Sequence, residues 1–329
     1  MSKIAIDVMG GDNAPVEIIK GCVEASKETD STLILVGDKD IIIKELKKYT
    51  YPSNRIKILH ASEVVTMEDS PTEVIRRKKD SSMVVGLNLL KDKKADAFVS
   101  AGNTGALLAG GTFIVRRLEG VQRPALASLI PTDKGYSLLM DCGANTDAKA
   151  TYLEQFARMG DIYMRELKGI DNPSVGLINI GVEEEKGNTV VKEAYKLLQD
   201  SSMNFIGNVE ARDISMGEAD VLICDGFVGN IVLKQMEGFG LWIFKLLKEE
   251  LTQNPIRKIG AAIIMPALKG LKDKFDYSEQ GGAPLLGLNG LVVKTHGSAK
   301  AKQVKHTILQ SAKLADQDVV GKIKQNISI

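Results

Sequence analysis

The chain has 329 residues, 44% of them apolar but only 5% aromatic, with 31 glycines against 9 prolines and a formal net charge of +1. That length suits one large or two modest domains around an aliphatic core, and the glycine-rich, proline-poor balance points to an α/β chain and away from an all-β sandwich. Near-neutral charge excludes a global field that draws the protein to nucleic acid, so an acidic partner has to be met by a local basic patch.

Short apolar runs alternate with helical patterns along the chain. Residues 3–8 read as a first strand, followed by the loop MGGDNAP and a helix from Val16. Residues 32–36 form a second strand, closed by GD and a helix ending near Tyr49, and 55–60 a third. A polar helical stretch covers 71–93; then come a strand at 95–100, the loop AGNTGA and a small-residue helix to Arg117. The runs 126–130 and 136–141 are neighbouring strands, joined as a hairpin through PTDKG, and later strands fall at 174–180, 204–206 and 220–224. Strands this short alternating with helices imply βαβ units, a mainly parallel sheet with helices on both faces, and a ligand site beyond the strands' carboxyl ends.

The clearest compositional shift is at 238–276, a long apolar stretch within an otherwise single α/β catalytic unit spanning 1–329. Phe239, Trp242, Ile243, Leu246 and Leu247 follow helical spacing; past Asn254-Pro255, Ile256, Ile259, Ile263, Ala267, Leu271 and Phe275 recur every three or four residues. This reads as an inserted amphipathic helical hairpin whose second arm Pro266 is expected to bend. Core packing, a dimer interface and a membrane-surface anchor compete for its apolar face. The tip, with Leu251, Ile256, Ile259 and Ile263, is the part assigned to membrane or acyl contact.

Four loops share one grammar, an apolar strand, then Gly and Asn, then a helix: SAGNTGA at 100–106, DCGAN at 141–145, EKGNT at 185–189 and DGFVGN at 225–230. Helix N-termini offer unpaired N–H groups and the positive dipole end, so several such loops at one sheet edge are expected to cradle an anion such as phosphate. Each loop taken alone reads as an ordinary turn and helix cap. Competing motifs are absent: no P-loop, no G-x-G-x-x-G after the first strand, and no G-x-S-x-G elbow. His60, His296 and His306 form no metal-ligand pair, and Cys22, Cys142 and Cys224 match no zinc spacing and read as reduced cytosolic thiols. The opening MSKIAIDVMGGD has no leader pattern, and no run of about 18 apolar residues argues for a spanning helix.

The same segments carry a resemblance. IAIDVMGGDNAP, RRKKDSSM at 76–83, SAGNTGALLAGG at 100–111, DCGANTDAK at 141–149, FIGNVEARD at 205–213, DGFVGNIVLK at 225–234, GGAPLLGLNG at 281–290 and KTHGSAK at 294–300 resemble the PlsX family of phosphate acyltransferases, in order and from first strand to last helix. The resemblance implies transfer of a long-chain acyl group from acyl carrier protein to inorganic phosphate, giving acyl phosphate for phosphatidic acid synthesis. It also implies an isocitrate/isopropylmalate-dehydrogenase-like fold, a homodimer, and no metal or nucleotide cofactor. The expected setting is cytoplasmic, with peripheral contact at the inner face of the cell membrane.

On motif position and chemistry, Lys186 is assigned to phosphate or oxyanion charge and Asn230 to oxyanion donation. Gly102, Asn103, Thr104, Asn145, Gly187 and Asn188 are assigned to the phosphate cradle, and His296 to proton transfer to the departing thiolate, with a hydrogen-bonded structural role as the competing reading. Cys142 and Cys224 are expected to be structural, since direct attack by phosphate needs no acyl-enzyme. The run Arg76, Arg77, Lys78, Lys79 is the carrier-docking candidate, with Arg116 and Arg117 secondary, against the plain reading of a solvated helix face. A short-chain phosphotransacylase using coenzyme A, a dehydrogenase of the related fold and a membrane scaffold stay open at this point.

Overall fold

The computed structural model describes residues 1–274 and 281–327. Among the described residues eleven strands join in one sheet, in the order β3-β2-β1-β4-β11-β10-β5-β6-β9-β7-β8. The first half holds β1 (Lys3–Asp7), β2 (Thr32–Gly37), β3 (Ile56–His60), β4 (Ala97–Ser100) and β11 (Leu291–Lys294), all mutually parallel. The second half holds β6 (Gly135–Met140), β7 (Ser174–Asn179), β8 (Asn204–Glu210) and β9 (Val221–Ile223), also parallel among themselves. Between them β10 (Ala283–Leu286) runs antiparallel to β11 and to β5 (Ala125–Thr132), and β5 runs antiparallel to β6. The two parallel halves therefore run in opposite directions and meet at the β10–β5 junction, where only two residue pairs are in register, Leu285 with Leu126 and Leu286 with Ala125.

Helices cover both faces because the strand side chains alternate between two cores. Ile4, Ile6, Leu33, Leu35, Ala97 and Val99 pack on one face beneath α1 (Val16–Ser26), α6 (Ala150–Lys168), α10 (Ala301–Asp316) and α11 (Val319–Asn326). Ala5, Val36 and Phe98 face the other way, toward α3 (Pro71–Arg77), α4 (Ser82–Lys91) and α5 (Thr104–Gly110). The remaining helices are α2 (Lys39–Leu46), α7 (Thr189–Gln199), α8 (Gly226–Leu251) and α9 (Pro255–Lys274). This is the mainly parallel, helix-flanked sheet that the strand–helix alternation implies.

Three local readings change. The stretch 71–93 is two helices, because Ser81 caps α4 by accepting from Val84 N while Lys78 turns inward to Asp69 and Val64 O. The tail segments around GGAPLLGLNG and KTHGSAK contain β10 and β11, which the sequence reading did not place. The apolar helix begins at Gly226, so Asn230 stands in its first turns and not in a loop. Pro266 lies inside α9, and Phe275 lies outside the described residues. Among the described residues no helix is long and apolar enough to cross a membrane.

Candidate active site

A cleft of about 480 Å³ opens over the β10–β5 junction. One wall comes from the first half of the sheet: Thr104, Gly105 and Leu108 of α5, and Lys294, Thr295, His296 and Gly297 at the end of β11. The other comes from the second half: Leu126, Ser128 and Leu129 of β5, Cys142, Gly143 and Thr146 after β6, and Gly226, Phe227, Asn230, Leu233, Lys234 and Glu237 of α8. The expectation of a cradle at one sheet edge is thus corrected, since the halves run oppositely and the cleft draws on both.

Two buried carboxylates build these walls. Asp7, at the end of β1, accepts from Ser100 Oγ (2.8 Å), Met9 N (3.2 Å) and Gly10 N (3.1 Å), and Ser100 Oγ in turn accepts from Gly102 N. Asp141, at the end of β6, accepts from Leu126 N (2.9 Å), Gly143 N (3.3 Å), Ala144 N (3.1 Å), Asn145 N (2.6 Å) and Asn145 Nδ2 (2.9 Å). Burial pushes both carboxyls up, and these hydrogen bonds oppose it. The first turn of α8 docks directly on this loop. Gly226 N donates to Asn145 O (2.7 Å), and a Cβ at Gly229 would stand 1.9 Å from Asp141 O, so glycine is required there.

The assigned residues divide. Thr104, Asn230 and His296 line the cleft. Asn103 does not: its Oδ1 caps α5 and its amide donates to the carbonyls of Thr66, Met67 and Asp69. Asn145 donates to Pro124 O and Asp141, and Asn188 caps α7 by accepting from Val191 N. For these three asparagines the turn-and-cap reading describes what the side chains do. Gly102 is buried behind the wall through its bond to Ser100. Gly187, at φ +90°, closes the loop after β7, whose Lys186 is exposed and outside the cleft lining, with Lys186 O accepting from Asn179 Nδ2.

His296 is held through Nδ1, on which Ser298 N (3.2 Å) and Ser298 Oγ (2.8 Å) converge, so the neutral ring carries its proton on Nε2. Desolvation, then the Lys234 charge, holds it below the usual imidazole range. Cys142 forms part of the wall but bonds Leu139 O, and burial pushes its thiol well up, as it does that of Cys224. Neither is set up as a thiolate nucleophile.

The sequence reading gave Lys294, Lys234 and Glu237 no role. Lys234 Nζ donates to Glu237 Oε2 at 2.9 Å. Lys294 is buried and, among the described residues, its Nζ reaches only backbone carbonyls, Ala101 O (3.2 Å) and Thr295 O. The available signal was a lysine closing the apolar run LVV. Among the described residues no group of three or more His, Cys, Asp or Glu side chains is placed to hold a metal ion.

In the basic run, Lys78 is spent on Asp69 (2.5 Å) and Arg77 reaches Glu73 (3.4 Å), leaving Arg76 and Lys79 exposed. The run ends α3, the helix whose first residue packs at the cleft wall: a Cβ at Gly105 would meet Pro71 at 2.8 Å. On α9, Ile256, Ile259 and Ile263 are 82%, 66% and 76% exposed, while Leu251 is half-buried.

The profile of the family described as fatty acid synthesis protein matches residues 2–322. A phosphate acyltransferase of Alkaliphilus oremlandii is 52% identical over 326 residues, covering 99% of this chain and 97% of its own. A phosphate acyltransferase of Clostridioides difficile is also 52% identical, with 99% and 96% covered. Among solved structures, a phosphotransacetylase from Streptococcus pyogenes superposes with a TM-score of 0.65 at 17% identity, covering 96% of this chain and 94% of its own. A 4-hydroxythreonine-4-phosphate dehydrogenase from Klebsiella pneumoniae superposes at 0.55 and 13% identity, covering 96% and 100%. The fold is shared with both, as the dehydrogenase-like expectation implies.

Proposed function

This chain belongs to the fatty acid synthesis protein family and is a phosphate acyltransferase, and on that premise we propose that it moves a long-chain acyl group from an acyl carrier protein thioester to inorganic phosphate, giving acyl phosphate. The observation that carries this reading is the composition of the cleft: a buried ammonium with no carboxylate partner among the described residues, Lys294, an exposed amide, Asn230, and an apolar wall of Leu108, Leu126, Leu129 and Leu233 share one space. An anion and an acyl chain are what such a space accommodates together.

Phosphate has a second pKa near about 6, so at neutral pH it is already a nucleophilic anion and needs positioning more than deprotonation. Lys234, Thr104, Thr146 and the N-terminal turn of α8 are placed to hold it. Its oxygen attacks the thioester carbonyl, and Asn230 and the Nε2–H of neutral His296 donate to the oxyanion that forms. Lys186, exposed on the loop after β7, serves as an outer cation that raises local anion concentration. No metal or nucleotide takes part.

The surroundings suit a carrier-bound, lipid-facing substrate. We assign Arg76, Arg77 and Lys79 beside the α5 rim to docking the acidic carrier, and the exposed isoleucines of α9 to peripheral membrane contact. The Phe239–Trp242 pair, 5.6 Å between ring centroids and half-exposed on α8, is assigned to a homodimer contact. Chain 1–329 acts as a single catalytic unit with the α8–α9 hairpin as its attachment. Flotation with anionic liposomes checks the hairpin: the wild type should float and the Ile259→Asp, Ile263→Asp double variant should not, and equal flotation contradicts the assignment.

The reaction itself is tested by incubating purified protein with palmitoyl-acyl carrier protein, with and without phosphate, and detecting acyl phosphate by mass spectrometry. Phosphate-dependent product without added metal or nucleotide is the expected result. Product from a short acyl-coenzyme A but not from the carrier thioester overturns it.

A further inference from the structure

Lys294 closes β11 after three buried apolar residues, at 9% exposure, and the residue lines the cleft. Its Nζ donates to Ala101 O and Thr295 O, and among the described residues no carboxylate stands within ion-pair distance. An ammonium has three N–H donors, so one is left for the cleft. The charged groups facing it are Asp7 at the end of β1, Asp12 in the following loop and Lys234 of α8; His296, two residues on, faces Lys234, Glu237, Asp12 and Lys294 itself. The two aspartates counter part of the burial without bonding the ammonium, which keeps the amine titratable.

We propose that Lys294 is the catalytic acid that protonates the departing thiol sulfur of the acyl donor, an inference that rests on the acyl-transfer reading above. A phosphate oxygen forms a bond to the thioester carbonyl carbon, and the tetrahedral intermediate collapses. The C–S bond breaks with its electron pair going to sulfur, which takes the remaining Nζ proton. The products are acyl phosphate and free thiol, and the neutral amine regains a proton from water. Beyond the thioester and phosphate, no oxidant, metal or further substrate is required. Burial, the dominant influence, lowers the amine from its usual 10.5 to about 8, close to the value of about 8.5 for a cysteine thiol. That match suits proton transfer between the two. His296 is the less suitable proton donor, because desolvation favours its neutral form and leaves little of the protonated ring.

The test compares two donors of the same acyl chain, an alkyl thioester and a nitrophenyl thioester, whose leaving thiol is acidic enough to depart without a proton. Phosphate is the acceptor for wild type, Lys294→Met and Lys294→Arg, each first checked for a cooperative melt. With the alkyl thioester, Lys294→Met should lose about 10²–10³-fold in kcat; with the nitrophenyl thioester the loss should shrink to about tenfold or less. Lys294→Arg keeps the charge but cannot release a proton, and should be as poor as Lys294→Met. Equal losses on both donors, recovery in Lys294→Arg, or an effect confined to the KM for phosphate would overturn the role. A second readout needs no variant: wild-type kcat should fall as pH rises past the lysine's pKa with the alkyl donor only, and the same fall with the nitrophenyl donor also overturns it. Wild-type protein that makes no acyl phosphate from either donor overturns the reaction reading, and this role with it.

Discussion

The segments at 225–230 and 185–189 look alike in sequence yet have different fates. Both leave a strand with glycine and asparagine and enter a helix, α8 in one case and α7 in the other. β9 lies beside β6, close to the sheet junction, so the start of α8 drops into the cleft and brings Asn230 with it. β7 lies one strand farther out, and its loop is tied to its own surroundings: Asn179 Nδ2 to Lys186 O, and Asn208 Nδ2 on β8 to Glu183 O. The shared grammar marks a strand–helix junction. Strand order decides whether that junction meets a substrate.

Glycine substitutions give the largest contrast. Gly229→Ala puts a methyl against Asp141 O at 1.9 Å, where backbone faces backbone. It should lower stability by about 3 kcal/mol or more and abolish turnover, read by thermal melting and product assay. Gly187→Ala meets a strained φ of +90° and Asn179 Oδ1 at 2.5 Å, but only within an outer loop. Its expected loss is about 1–2 kcal/mol with most activity kept. Equal effects at the two positions would erase the distinction between cleft and outer loop.

Lys294→Met sharpens the same contrast through pH. Below about 8 the wild-type amine is charged in the folded and the unfolded protein, and folding carries the full burden of burying that charge. Between about 8 and 10.5 only the unfolded state holds the proton, so the burden fades. Lys294→Met should therefore be more stable than wild type at pH 7, by on the order of 3 kcal/mol at one pKa unit per about 1.36 kcal/mol. That gain should shrink as pH rises through this window, as followed by denaturant titration. A pH-independent difference contradicts the buried-charge account.

Much of the fold was legible in the sequence because the strands are short, apolar and spaced by helical patterns. β1, β2, β4, β6 and β9 fall on runs that read as strands. β10 and β11 were not read, since four-residue strands inside GGAPLLGLNG and LVVK offer little periodicity, and their pairing with β5 and β4 is remote in sequence. That omission hid the site's main cation, because Lys294 is recognisable only once β11 is known to end at the cleft. Asn103, Asn145 and Asn188 show the reverse limit. Asparagine suits a phosphate cradle and a helix cap equally well, and only the partners Ala106 N, Pro124 O and Val191 N show which bonds the side chains make.

The most direct test of the cleft as the reaction site measures acyl phosphate formation by Asn230→Ala and Lys186→Ala side by side, over a range of phosphate concentrations. Asn230→Ala should lose about 10²–10³-fold in kcat, as expected for a lost oxyanion donor. Lys186→Ala should keep kcat and raise the KM for phosphate by about threefold to tenfold, as for an exposed steering charge. A collapse of kcat in Lys186→Ala with Asn230→Ala near wild type would move the chemistry to the loop after β7 and contradict the account.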